Sequence, residues 1–257
     1  MVFSFSSSLI LAALLLATRL APVFLFGPPL SSVPIPTAVR SVFILSLSMS
    51  LILAAPADSL RFADVSVFGL IGMFIVELTS GAFIAFGLMG AFSSVSIAGR
   101  LLDMQIGFGV ANLFDPVTNQ QGPMLGSALA MLAAALFFAT DSHLLFFRLF
   151  AESVSRFPPG HAIATSTTGL WAVNQFAHMF FAGVAMAFPI LLTLLMIDVG
   201  LALVSRSVPQ LGVFFLSLSI KAVVGLLALV MLLVFNPGAL SRVVWQWYSY
   251  MTGLLES

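Results

Sequence analysis

Apolar runs long enough to cross a bilayer recur along almost the whole chain, and few charges interrupt them. They cover residues 9–26, 35–55, 65–92, 124–140, 171–204 and 211–235. Each reaches or approaches the roughly 20 residues that a helix needs to traverse about 30 Å of hydrocarbon. Lipid offers nothing for a backbone N–H or C=O to bond, so such segments must satisfy themselves as helices. Only 7% of the residues are charged, far too few to coat a soluble domain of this size. The expected fold is all-α: a polytopic membrane protein with about six long apolar helices and one Gly-rich inserted loop.

Two runs exceed a simple span. As helices, residues 65–92 and 171–204 would measure roughly 42 and 51 Å. Tilt, or a break at Pro189, is one account. The other is that protein partners, rather than lipid, cover part of their length. The links between runs carry turn chemistry, most plainly residues 27–36 (GPPLSSVPIP), where successive prolines remove donors and fix φ. Residues 55–64 form a second short link and 141–170 a longer, mixed one. The tail from residue 238 holds Trp245, Trp247, Tyr248 and Tyr250, an aromatic group suited to a membrane–water boundary. Basic residues fall in both alternating sets of loops and leave the topology open. The first eight residues carry no basic side chain and no small-residue cleavage site follows, so the first apolar run is expected to be retained.

One stretch breaks the apolar pattern: residues 99–123, GRLLDMQIGFGVANLFDPVTNQQGP. Backbone this irregular cannot face lipid. It must reach water, lie within protein or line a pathway. Gly107, Gly109 and Gly122 allow φ values that other residues avoid, and Asp115-Pro116 and Gly122-Pro123 favour turns. Ile106, Phe108, Val110, Leu113 and Phe114 bring apolar bulk. Asn112, Asn119, Gln120 and Gln121 bring hydrogen bonds without charge. Arg100 and Asp103, three apart, would share a helix face and pair, forming with Gln105 a base beneath the loop.

Enzyme chemistry finds little support. His143, His161 and His178 are scattered, and no HExxH, GxSxG or phosphate-binding loop is present. Asp141-Ser142-His143 follows an apolar run and reads as a helix-end turn. No cofactor or metal site is expected. Zero cysteines exclude disulfides and thiolate ligands, and nine basic against nine acidic residues give no reason to expect nucleic acid. The better candidates are ionisable residues inside apolar runs: Arg19, Glu77, Asp198 and Lys221. Arg19 and Lys221 lie close enough to helix ends to snorkel as an alternative. Glu77 and Asp198 are expected to anchor neighbouring helices, since no chain of acids follows one face as a proton relay would.

Three motifs in order resemble those of one family. Arg19-Leu20-Ala21-Pro22 with Pro34, Pro36 and Arg40 is similar to its N-terminal signature. Residues 99–116, GRLLDMQIGFGVANLFDP, are similar to its central one, and 208–221, VPQLGVFFLSLSIK, to its C-terminal one. The family is that of the FliR/SctT export-gate proteins of type III secretion, in its flagellar branch. The chain departs from the usual C-terminal pattern at Gly212, Ser217 and Ser219.

The resemblance implies a single export-gate domain over residues 1–257, in the bacterial inner membrane at the centre of the flagellar basal body. It implies hairpins packed against FliP-like and FliQ-like subunits, in an expected ratio of five and four to one copy of this chain. A FlhB-like switch protein and unfolded flagellar substrates are further implied partners, with lipid at the periphery. Residues 107–123 would be a pore plug, carried by Gly107, Phe108, Gly109, Val110, Asn112, Leu113, Phe114, Asp115 and Pro116. Arg19, Glu77, Asp198, Arg206, Pro209, Gln210 and Lys221 would serve buried polar or assembly roles. The alternatives are the equivalent subunit of a virulence injectisome or a small-solute secondary transporter.

Overall fold

Where the apolar runs stand, helices form. The computed structural model describes residues 7–28, 35–54, 66–108, 123–161, 168–207, 213–235 and 238–256. Their regular structure is helical throughout: α1 (Ser7–Phe26), α2 (Thr37–Ala54), α3 (Val67–Ile106), α4 (Met124–Ala139), α5 (Ser142–Arg156), α6 (Thr168–Ser207), α7 (Val213–Phe235) and α8 (Gly238–Glu256). Among the described residues, α1, α2, α3, α6 and α7 are long and apolar enough to cross a membrane. The pair α4 and α5, bent by 71° at its junction, makes a sixth if counted as one span.

The over-long runs are longer still than their apolar cores. Helices α3 and α6 each hold 40 residues, about 60 Å of helix. Helix α3 continues into the polar interruption and ends only at Ile106. Helix α6 passes through Pro189 without ending there, so a break is not how its length is accommodated. The mixed segment 141–170 is not simply a link. It contains α5, whose buried residues Ser142, Phe146, Leu149, Phe150, Ser153 and Val154 fall on one helical stripe.

The chain divides into two compact units: Met1–Gly90 with Phe137–Phe176 and Gln246–Ser257, and Ala91–Leu136 with Ala177–Trp245. In the first, α1 packs against α2, and the Phe24 and Phe43 rings meet edge to face. Helix α8 buries Trp247, Tyr250, Met251, Leu254 and Leu255, again at helical spacing. Trp247 is only 1% exposed and lies 5.8 Å from the Phe146 ring. Tyr250 donates to the Phe83 carbonyl at 3.2 Å. Of the tail's aromatics, Trp247 and Tyr250 therefore fill a core, while Trp245 remains exposed. The amphipathic stripe of α8 explains the difference.

A buried ion pair ties this unit together. Arg19 and Glu77 are both fully buried. Nε of Arg19 donates to Oε2 of Glu77 at 2.5 Å, and Nη2 donates to Oε1 at 2.9 Å. The two-point geometry suits a planar guanidinium. Nη1 then donates to the carbonyls of Ser153 (3.4 Å) and Phe157 (3.1 Å), at the C-terminal end of α5. The Phe157 carbonyl, past the last helical bond, and the negative end of the helix dipole favour a cation there. Glu77 also accepts from the Gly160 N–H at 2.7 Å. Thus α1, α3 and the end of α5 meet at two side chains. The approach is close enough that any Cβ at Gly81 would collide with the Arg19 backbone carbonyl. Snorkelling does not describe Arg19.

Removing one partner of such a pair strands the other charge, at a cost of about 3–5 kcal/mol. Glu77→Gln is accordingly expected to lower the unfolding midpoint of the purified protein far more than the paired change Arg19→Leu with Glu77→Leu, as measured by denaturant titration in detergent. Burial pushes the Tyr250 phenol from 10.0 up to about 12. Its contribution to stability is complete below pH 10 and is lost as pH rises toward 12, because the unfolded phenol ionises first. Tyr250→Phe should flatten that alkaline limb.

Candidate functional site

The last turns of α3 carry the start of the polar interruption into the second unit. One face of the helix is apolar: Val95, Ala98, Leu102 and Ile106 are buried at spacings of three and four. The helix stops at Gly107, whose φ is +92° and whose N–H bonds the Asp103 carbonyl at 3.1 Å. This is a left-handed glycine closing a helix, a conformation that side chains resist.

The side chain of Asp103, 5% exposed, supplies the principal contact of the site. Its Oδ1 accepts from the Leu125 N–H at 2.9 Å and its Oδ2 from the Gly126 N–H at 3.0 Å. These donors belong to the first turn of α4, where backbone N–H groups lack helical partners. The residue before α4 is Pro123, which has no side-chain acceptor. Asp103 performs the capping from another helix, and its charge also suits the positive end of the α4 dipole. The backbones run close beside this cap, since a Cβ at Gly99 would press into Gly126. The expected Arg100–Asp103 pair does not form. Both carboxylate oxygens are committed to α4, and Arg100 stays exposed.

Two residues beyond Asp103, a second polar cluster holds the same turn. Nε2 of Gln105 donates to Oδ2 of Asp198 on α6 at 3.1 Å. The other oxygen, Oδ1, meets Nζ of Lys221 on α7 at 2.6 Å. Lys221 is 17% exposed and Asp198 34%, so the pair is screened only in part. Beneath it, Ile106 lies where a side chain at Gly225 would point, and Leu218 flanks Gly107. Helix α3 is thus gripped at its end by α4, α6 and α7, immediately before the segment that leaves it.

The remaining sequence candidates fall as follows. Gly107 and Phe108 are half-buried. Gly109, Val110, Asn112, Leu113, Phe114, Asp115 and Pro116, and also Pro209 and Gln210, lie outside the described residues. Arg206 is exposed in the last turn of α6. Arg19 and Glu77 belong to the ion pair of the first unit. Among the described residues no cluster of three or more His, Asp or Glu could hold a metal. Sequence reasoning missed the turn after α5, whose Phe157 carbonyl and Gly160 N–H complete the Arg19–Glu77 network. The prolines and glycine of FPPGH were a usable turn signal, but nothing local names their partner. It missed the capping of α4 as well, for which Pro123 followed by an uncapped apolar helix was the available clue.

A family described as bacterial export proteins, family 1, matches residues 10–246. The flagellar biosynthetic protein FliR of Escherichia coli is 29% identical over 202 residues, covering 78% of this chain and 76% of that one. FliR of Caulobacter vibrioides is 28% identical over 225 residues, 87% of this chain and 88% of its own. The surface presentation of antigens protein SpaR of Salmonella typhimurium is 27% identical over 230 residues, 89% and 84% of the two chains.

Asp103→Ala removes the cap of α4, a loss of about 1–2 kcal/mol. Amide exchange at Leu125 and Gly126 is expected to accelerate, read by hydrogen–deuterium exchange, while exchange in the middle of α7 stays as in the parent. Asp103→Asn, which keeps one acceptor, should fall between the two.

Proposed function

The chain belongs to the FliR/SctT family of type III secretion export-gate membrane proteins, a family of structural subunits rather than enzymes, and from that premise we propose that it is the flagellar member that closes the export channel. The observation carrying this reading is that the polar, Gly-rich sequence of residues 107–123 follows directly on a turn of α3 fastened to α4, α6 and α7. In this reading one copy joins five FliP-like and four FliQ-like subunits in the inner membrane, beside a FlhB-like switch protein. Exposed apolar residues along α6 and α7, among them Phe181, Phe188, Met196, Leu203, Val230 and Phe235, are then covered by those subunits and by lipid.

The plug works by packing and dewetting, not by an ion site. Phe108, Val110, Leu113 and Phe114 fill the conduit. Asn112 and its amide neighbours satisfy backbone groups without putting charge in the path of an unfolded chain. Asp115-Pro116 turns the segment back, and Gly107 and Gly109 give it room to move. Pro209 and Gln210 mark the turn between α6 and α7. A second reading, the equivalent subunit of a virulence injectisome, is favoured by the match to SpaR. Neighbouring genes decide between them: flagellar structural genes support the first, needle-complex genes the second.

Co-expression with FliP-like and FliQ-like proteins is expected to yield one complex holding all three. Recovery of the chain alone, under conditions that keep related gates intact, would count against the assignment. Shortening residues 108–121 should leave that complex assembled but let small ions through in a vesicle leak assay. A gate with the shortened loop that stays as tight as the parent removes the plug.

A further inference from the structure

We infer that the groove between α6 and α7 seats one helix of another membrane subunit of the export apparatus, and that this helix brings an uncharged hydrogen-bond acceptor to Lys221; the inference rests on the assembly reading above. The groove, of about 410 Å³, is lined by Pro189, Ile190 and Thr193 on α6 and by Val224, Ala228 and Met231 on α7. The Thr193 hydroxyl already donates to the Pro189 carbonyl, so the lining offers an apolar surface. Its volume admits one ridge of side chains, as when the ridge of one helix packs into a furrow of its neighbours. Ala228 and Thr193 are small enough to let a third backbone come close.

Lipid is not cover enough for α6. The helix exposes large apolar side chains from Leu170 to Val204, among them Phe181, Phe188 and Met196. That is about 51 Å of helix against about 30 Å of hydrocarbon. Fitting the one inside the other takes a tilt of roughly 54°, past the range of about 0–40° that spanning helices adopt. Lys221, one helical turn before Val224, shows where protein takes over. Its ammonium carries three donors. Asp198 Oδ1 takes one at 2.6 Å, and among the described residues no second acceptor meets it. Phe215, Leu216 and Val223, near it on α7, are exposed and apolar, and the ammonium itself is open to the outside at 17%. An acyl tail has no acceptor to give. A lipid phosphate has one, but the Asp198 carboxylate stands beside the ammonium, repels a second anion and leaves the pair already neutral. The chemistry that fits is a helix whose facing residue accepts without charge: serine, threonine, asparagine or glutamine.

The test uses the full chain co-expressed with FliP-like and FliQ-like subunits in membranes. A photoreactive phenylalanine placed at Met231, inside the groove, is expected to crosslink to one apolar segment of one of those subunits, with a neutral acceptor about two turns away on the side of Lys221. The paired change Asp198→Asn with Lys221→Met strands no charge and keeps an oxygen for Gln105. It should leave the melting midpoint of the chain alone near that of the parent, and lower recovery of the complex roughly fivefold through the lost hydrogen bond. A purely structural pair would instead lower the midpoint and leave recovery per folded chain unchanged. A crosslink to lipid alone, to a second copy of this chain or to nothing overturns the seat, even where the complex assembles and the export-gate reading stands. A crosslinked segment that faces Lys221 with an acid, or with no acceptor, overturns the acceptor, as does a paired variant recovered as fully as the parent. If no complex forms with either kind of subunit, the assembly reading falls and this inference falls with it.

Discussion

A charge inside an apolar helix has no water to fall back on, so its partners must come from the protein. In this chain that constraint organises both units. Arg19 and Glu77 settle it by nearly complete mutual saturation: a two-point pair, two helix-end carbonyls and one turn N–H. Asp103 settles it with the free amides of a helix start, and Asp198 by dividing its oxygens between an amide and an ammonium. Each solution crosslinks helices whose apolar surfaces alone have no preferred register. Leucine against leucine slides. A guanidinium on a carboxylate does not.

The positions of these charges were legible in the sequence, and their partnerships were not. Arg19, Glu77, Asp198 and Lys221 stand out because ionisable residues are costly in hydrocarbon, but a single sequence carries no signal for a contact between residues 58 apart. Asp103 was read through the one local rule available, the i,i+3 neighbour, which gave Arg100. The geometry overrules it because two unsatisfied N–H groups at the start of α4 are better partners than an arginine that water can solvate. The all-helical fold followed from run lengths alone. The amphipathic α5 and α8 did not, although Phe146, Phe150, Val154 and Trp247, Met251, Leu254 carry the helical period. A search tuned to unbroken apolar runs passes over half-polar helices.

Length also gains a physical account. At about 60 Å, α3 and α6 exceed any bilayer, and each contributes to both compact units. A helix that long is an economical way to carry one continuous backbone ladder through two separate packing environments. Helix α6 continues through Pro189, and the Thr193 hydroxyl donates to the Pro189 carbonyl at 2.9 Å.

The cap that Asp103 places on α4 has one more implication. Leu125 and Gly126 lie within hydrogen-bond reach of a residue on the opposite side of the insert, so the two ends of residues 107–123 enter and leave the helical body at a single seam. A segment whose ends already touch adds little closure entropy as it lengthens or shortens. Its size and composition are therefore largely uncoupled from the stability of the helices that carry it. Such a seam makes the insert an exchangeable cassette: its length and composition can change while the helix contacts on either side of it stay where they are.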